Sequence, residues 1–296
     1  MISAFVITCD KESDILSAVL KRARFADELI LIDKGQYTDV SSIADRYGAR
    51  YFKVKWTPTV EETRERAVRL CTHDWIVRLD DDEILTEECD STFRDFVAGG
   101  TAEILHIPIH QYILGRHDEG AYYWPEWRST LFYRGAIEFS NIVHSGIRYT
   151  VGSGEQLPKD HPAHIIHLSH PDVATWVEKT NRYTSQPDRS STKIELPSSY
   201  GEAVARLRRL YDEVDALKHW EAREPDGRAA FAEIARAVLE EKSISRLMHP
   251  SHELSFSPDT TRSDIVGRCV SCGKAEGLSD DGHRWMDKGL EEPCIS

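Results

Sequence analysis

Three consecutive aspartates, Asp80-Asp81-Asp82, followed by Glu83, carry the densest chemistry in the sequence. Two carboxylates one residue apart in an extended turn can share a hard divalent cation. Mg2+ and Mn2+ prefer oxygen ligands and commonly bridge onward to phosphate oxygens. The plain alternative is a solvated acidic turn, or a cap for a helix near Thr86. Placement separates the two. The triplet follows Trp75-Ile76-Val77 and Leu79, which reads as a buried strand. In open α/β sheets, ligands bind beyond the carboxyl ends of such strands.

Two more polar groups fall at comparable places. Ile2 to Thr8 is a short apolar run ending in Thr8-Cys9-Asp10, and Leu29 to Ile32 is a second, closed by Asp33 and the turn Lys34-Gly35-Gln36. The segments between them have helical spacing. Ile15, Leu16, Val19 and Leu20 share one face after Ser13. Ile43, Ala44 and Tyr47 form a shorter helix that stops at Gly48, and Val60, Ala67, Val68 and Cys71 mark a third. Tyr51 to Val54 reads as a further strand. Strands alternating with helices imply parallel βαβ units, hence an α/β fold with a Rossmann-like, mostly parallel sheet flanked by helices.

Beyond residue 100 the pattern changes. Ile104–Ile109, Thr130–Tyr133 and Ala163–Leu168 read as strands joined by aromatic-rich loops. A polar stretch, Pro187 to Ser199, precedes two helical segments. Ala203, Leu207, Leu210, Val214 and Leu217 line one, and Phe231, Ile234, Ala235 and Val238 the other, so a C-terminal helical hairpin is expected to pack on the main domain. Arg206, Arg208 and Arg209 form a basic patch on the first, suited to a phospholipid head group or a lipid-linked acceptor, or an ordinary solvated face. The tail carries Cys269-Val270-Ser271-Cys272, His283 and Cys294. Three thiolates and one imidazole can close a tetrahedral structural Zn2+ site; a plain tail with free thiols is the alternative. His161, His164, His167 and His170 recur every third residue, but the apolar pairs between them favour a strand and loop over a metal cage.

The 296 residues carry 37 Lys and Arg against 50 Asp and Glu, a formal charge of −13. That balance argues against a broad nucleic-acid or anionic-membrane surface, although peripheral membrane contact at a small basic patch remains open. No run reaches the ~18 apolar residues of a membrane span, and the N-terminus reads as a strand rather than a signal peptide. Six scattered cysteines are too few for a disulfide scaffold, so a reducing cytoplasm is the expected location.

The ordered set Ile7-Thr8, Leu31-Ile32-Asp33, Trp56-Thr57, Arg64, Ala67 and Asp74 to Glu83 resembles the family 2 glycosyltransferases. Trp124-Pro125-Glu126-Trp127-Arg128, Leu131 to Gly135, Val143-His144, His164 to His170 and Lys179 to Thr184 extend it, and the branch that looks most similar is the lipopolysaccharide-core β-glucosyltransferase-like group. The resemblance implies a GT-A fold over residues 1–185. A linker and helical hairpin would then occupy 186–248, and a linker with the Cys-containing tail 249–296. It implies transfer from a nucleotide-sugar, a UDP-sugar being the expected donor, to a glycan, lipid-linked or other hydroxyl acceptor. Thr8 would lie beside the nucleotide, Asp33 would accept from the base, and Arg64 would be the donor-site arginine. Asp80 and neighbouring Asp81 would stand on the ribose side of a DxD motif, with Asp82 on Mg2+ or Mn2+. His144 and His167 would lie near the diphosphate as further metal ligands. Inverting transfer needs a base at the acceptor hydroxyl, and Glu126, between Trp124 and Trp127, is the candidate; aromatic neighbours would desolvate it. The family's Val-His-Glu is Val143-His144-Ser145 in this chain, which opens a second reading as an inactive nucleotide- or glycan-binding scaffold. A sugar nucleotidyltransferase would need a Gly-rich loop after the first strand, where Cys9-Asp10-Lys11-Glu12 has no glycine.

Overall fold

The N-terminal apolar run forms β1 (Ile2–Thr8), buried at every residue. A strand covered on both faces belongs in the middle of a sheet with layers on each side. The computed structural model describes residues 1–11, 13–57, 60–117, 119–121, 124–139, 147–150, 154–184 and 227–242, scattered positions between 199 and 215, and the backbone of four strands after residue 253.

The βαβ alternation follows as expected. After β1 come α1 (Ser13–Ala23), β2 (Glu28–Asp33), α2 (Ser41–Tyr47), β3 (Arg50–Lys53), α3 (Glu61–Leu70) and β4 (Trp75–Asp80). Strands β3, β2, β1 and β4 pair in parallel in that order. Glu83 does not belong to the acidic turn. It opens a three-residue strand, β5 (Glu83–Leu85), buried throughout. Then come α4 (Glu88–Gly99), β6 (Ile104–Ile113), β7 (Glu126–Tyr133), β8 (Ile137–Phe139), β9 (Ile147–Tyr149), β10 (Glu155–Gln156), β11 (Ile165–His170), α5 (Val173–Thr184) and α6 (Gly227–Leu239). The main sheet runs β3-β2-β1-β4-β7-β6-β11-β5, with β10 beside β6. β7 is antiparallel to both β4 and β6, while β11 runs parallel to β6 and β5 antiparallel to β11. β7 begins four residues earlier than its apolar core predicts, so Glu126 is a strand residue rather than a loop residue.

Period-two alternation divides the core. Ala4, Val6, Leu31, Val77 and Leu79 pack on one side with Ile15, Leu16 and Val19 of α1. Phe5, Ile7, Ile30, Ile32 and Phe132 pack on the other with Ala67 of α3 and Ile137 of β8. Each fully buried aliphatic side chain contributes ~1.5–3 kcal/mol. The expected face of α6, Phe231, Ile234, Ala235 and Val238, joins the α1 side of this core, and Lys21 Nζ of α1 donates to the Leu239 carbonyl at 2.8 Å. Gly227 starts α6 against backbone: a Cβ there would stand 2.1 Å from the Pro171 oxygen and 2.9 Å from the Leu114 carbonyl carbon.

The apolar positions of the other expected hairpin helix, with Arg206, lie outside the described residues, while Arg208 and Arg209 are exposed. In the tail, β12 (Leu254–Asp259), β13 (Asp264–Cys269), β14 (Ala275–Leu278) and β15 (Trp285–Asp287) form an antiparallel four-stranded sheet. Of the candidate zinc set, Cys269 ends β13, whereas Cys272, His283 and Cys294 lie outside the described residues. Among the described residues, no helix is long and apolar enough to cross a membrane.

Candidate active site

Strand register brings the polar strand ends together. Thr8 pairs with Asp33 across β1–β2, and Ile7 pairs with Asp80 across β1–β4, which sets Asp81 beside Thr8. The three aspartates then turn to three different sets of partners. Asp80 faces two arginines, Arg64 at 3.3 Å and Arg128 at 3.1 Å. Burial alone would raise its carboxyl, but Arg64 and Arg128 outweigh burial and hold it well below the usual carboxylate range. Asp81 accepts from the Thr8 hydroxyl and the Cys9 N–H, both at 2.9 Å. Its carboxyl is raised, chiefly by burial, with Lys11 pulling the other way and Asp82 adding repulsion. Asp82 is 6% exposed and lies between Lys11 Nζ, 3.2 Å from Oδ2, and His167 Nε2, 3.3 Å from Oδ1. Burial opposes its ionisation, yet Lys11 and His167 hold its carboxyl well below the ordinary value.

Arg128 is a site residue for which the sequence reading gives no role. The β4–β7 register pairs Val77 with Leu131, and beyond that pair the Arg128 guanidinium of β7 donates to Asp80 Oδ2 at the end of β4 at 3.1 Å. The same guanidinium presses on the Glu83 carboxylate, which is 0% exposed and also accepts from the Asp80 N–H at 2.9 Å. A lateral row crosses the sheet from there. Glu83 pairs with His167, and His167 pairs with Gln111 of β6. The Gln111 side-chain amide donates to Glu126 Oε2 at 2.8 Å. Glu126 therefore stands on the edge that holds the aspartates. It is exposed, however, so Trp124 and Trp127 do not desolvate it; the Trp127 indole turns to the Leu157 carbonyl instead.

At the other end of the edge, Asp33 is 1% exposed and accepts from the Gly35 N–H at 2.7 Å, the Tyr51 hydroxyl at 2.7 Å and Lys53 Nζ at 2.8 Å. Lys34, 2% exposed, donates to the Thr57 hydroxyl. Asp10, at a φ of 53°, accepts from the N–H groups of Gln36, Tyr37 and Thr38 and so fixes the turn after β2. Gly35 permits that approach, since a Cβ there would lie 2.6 Å from Asp10 Oδ1.

The donor set at Asp82 fits a hard divalent cation. One carboxylate and one imidazole nitrogen stand 3.3 Å apart. Adjacent ligands of one octahedral Mg2+ or Mn2+, each at ~2.1 Å, are separated by ~3 Å. Such ions keep several waters or phosphate oxygens, so two protein ligands suffice. His144, the other histidine considered, lies outside the described residues, as do Val143 and Ser145. Three other histidines pack together rather than converge on the aspartates. His164 stacks on His110 at 4.0 Å, His110 stacks on His117 at 4.5 Å, and Trp124 sits edge-on to both His110 and His117. Burial pushes His110 down to about 3 and lowers His164, which keeps these two rings uncharged near neutral pH. Among the described residues the free cysteines are Cys9, Cys71 and Cys89; burial pushes the Cys71 and Cys89 thiols up to about 12 and leaves them inert.

The chain is similar to several known proteins. An uncharacterized glycosyltransferase of Rickettsia felis is 26% identical over 200 residues, spanning 65% of this chain and 70% of that protein. One of Rickettsia conorii is 24% identical, spanning 65% and 71%. Among solved structures, S. aureus TarS shares 13% identity over 81% of this chain and 53% of its own, with a TM-score of 0.43. Glucosyl-3-phosphoglycerate synthase from Mycobacterium tuberculosis, solved with Mg2+ and uridine-diphosphate, shares 22% over 37% and 43%, with a TM-score of 0.30. The model of Glycosyl transferase family 2 matches residues 3–147, a span that holds Thr8, Asp33, Arg64 and the aspartate triplet. Over that span the chain is similar to the family 2 glycosyltransferases.

Proposed function

We propose that this chain moves a sugar from a nucleotide-sugar, expected to be a UDP-sugar, to a hydroxyl of a glycan, lipid-linked or similar acceptor. Transfer is inverting, it depends on Mg2+ or Mn2+ held by Asp82 and His167, and the branch is the lipopolysaccharide-core β-glucosyltransferase-like one. The observation that carries the reading is the Asp82 carboxylate facing His167 Nε2 at 3.3 Å, on the sheet edge where Thr8 and Asp33 also end. The cation, when bound, offsets the negative charge that develops on the departing diphosphate.

The chain's own groups position the rest. Asp33, held by Tyr51 and Lys53, keeps lone-pair capacity for a donor on the base. Asp80 stays ionised between Arg64 and Arg128 and can accept from the ribose. The Thr8–Asp81 hydrogen bond ties the end of β1 to the residue between those two carboxylates. Glu126, oriented by the Gln111 amide, takes the acceptor proton. The test is donor hydrolysis and transfer with and without Mn2+. Asp82→Ala should lower kcat by at least ~100-fold, the order expected when a group that stabilises transition-state charge is lost. Metal-independent turnover, or full activity in Asp82→Ala, would sink the assignment.

A further inference from the structure

The residue that neutralises Asp82 in this structure is Lys11. Its Nζ stands 3.2 Å from Asp82 Oδ2 and 3.7 Å from Asp81 Oδ1, and its side chain is 23% exposed. The two carboxylates it faces are 9% and 13% exposed, adjacent in sequence, and mutually repulsive. We infer that Lys11 is a movable counter-ion of the cation site: it occupies Asp82 before ligand arrives, yields it to the divalent cation, and then carries its charge to the donor diphosphate. The inference rests on the reading of Asp82 as the cation ligand.

Both halves follow from charge and reach. A divalent cation ~2.1 Å from an Asp82 oxygen would lie within a few ångströms of the ammonium as now placed, where the two repel. Lys11 therefore competes with the ion for one carboxylate. The lysine lies two residues after Cys9, whose N–H is fixed on Asp81, so its backbone stays near the strand edge while a flexible four-carbon stem moves the charge. A bound diphosphate brings negative charge to that edge and gives the displaced ammonium a new partner. One residue should then affect two ligands in opposite directions.

The experiment uses the full chain. Free Mn2+ is followed by electron paramagnetic resonance as the protein is titrated, first alone and then with uridine diphosphate at saturating Mn2+. Wild type, Lys11→Met, Lys11→Gln, Lys11→Arg and Asp82→Ala are compared, with thermal melts to establish that each is folded. The expected result is that Lys11→Met and Lys11→Gln bind Mn2+ alone about fivefold more tightly and uridine diphosphate about fivefold more weakly, magnitudes modest enough for a partly exposed charge. Lys11→Arg should behave like wild type. Mn2+ affinity unchanged or weakened in both neutral variants, with binding still lost in Asp82→Ala, would overturn the role of Lys11 and leave the cation site standing. Mn2+ binding that is undetectable in wild type and both neutral variants, or that survives in Asp82→Ala, would overturn the cation site and the counter-ion with it.

Discussion

Arg128 holds two acidic groups at once, and removing it should unfold more than it disarms. Glu83 is 0% exposed, and apart from the Arg128 guanidinium its carboxylate receives the Asp80 N–H. Arg128→Met keeps an apolar stem in place but leaves that carboxylate buried beside a single neutral donor. Breaking a buried ion pair from one side costs about 3–5 kcal/mol, because the remaining charge is stranded. The contribution from Asp80 is smaller, since it is 23% exposed at the side chain and keeps Arg64; ~0–1 kcal/mol is appropriate there. For a domain of this size 1 kcal/mol moves the melting midpoint by about 2–4 °C, so the variant should melt about 6–20 °C lower. Glu83→Gln in the same chain removes the stranded charge. The double variant Arg128→Met/Glu83→Gln should regain most of the loss, with a coupling of at least ~2 kcal/mol in a double-mutant cycle. Urea unfolding followed by circular dichroism measures both quantities. An Arg128→Met protein within ~1 kcal/mol of wild type, or strictly additive effects, would refute the stranded-charge argument.

Other perturbations test other parts of the fold and site. Gly227→Ala places a methyl 2.1 Å from the Pro171 oxygen, so α6 must shift off α1; a loss of at least ~2 kcal/mol in urea unfolding is expected, as for overpacking against backbone. Acid should weaken the fold before the carboxylates titrate. Burial pushes His110 down to about 3 and His170 to about 4. Both stay neutral in the fold while the unfolded chain takes up protons below its ordinary value of ~6.5, so stability is lost as pH falls from about 6.5 towards about 4. The slope is at most ~1.4 kcal/mol per pH unit for each histidine, less for their partial exposure. Melts of His110→Phe, which keeps an aromatic ring in the stack, should show a shallower acid slope; an unchanged slope counts against a buried neutral His110. Glu126→Gln should lower kcat by about 100-fold or more while leaving the dissociation constant for uridine diphosphate unchanged, and equal loss of both would assign Glu126 to binding instead.

The parallel half of the fold was legible because its signals are local. The run Ile2 to Thr8, the helical face after Ser13 and the stop at Gly48 each need only a short window of sequence, and each has its element. The antiparallel half was harder to see. β5 is three residues long, and Glu83 at its start looks like one more acid in a turn; only its burial against β11 sets it apart. Ile84-Leu85 directly after the acids was the available signal. β7 was foreshortened because Glu126-Trp127-Arg128 breaks the apolar run, although polar and aromatic residues alternating into Thr130-Leu131-Phe132 are what a strand covered mainly at one end would show.

The site was legible as a place and not as a set of roles. Three adjacent aspartates look equivalent on paper, yet their surroundings are decided by residues 8, 11, 64, 128 and 167. Thr8, Arg128 and His167 reach the triplet through the strand order β1-β4-β7-β6-β11 and the return of β5, Lys11 from the loop after β1 and Arg64 from α3. Asp80 meets two arginines and is locked in its charged form. Asp81 is spent on a threonine hydroxyl and a backbone N–H, and it is the one whose carboxyl is raised. Asp82 alone meets both a lysine and an imidazole. A cation site needs a carboxylate that is ionised yet not committed to a fixed guanidinium pair. By that criterion the proposed cation site takes one ligand from the triplet, Asp82, and the distinction comes from tertiary pairing, which no spacing within residues 80–82 encodes.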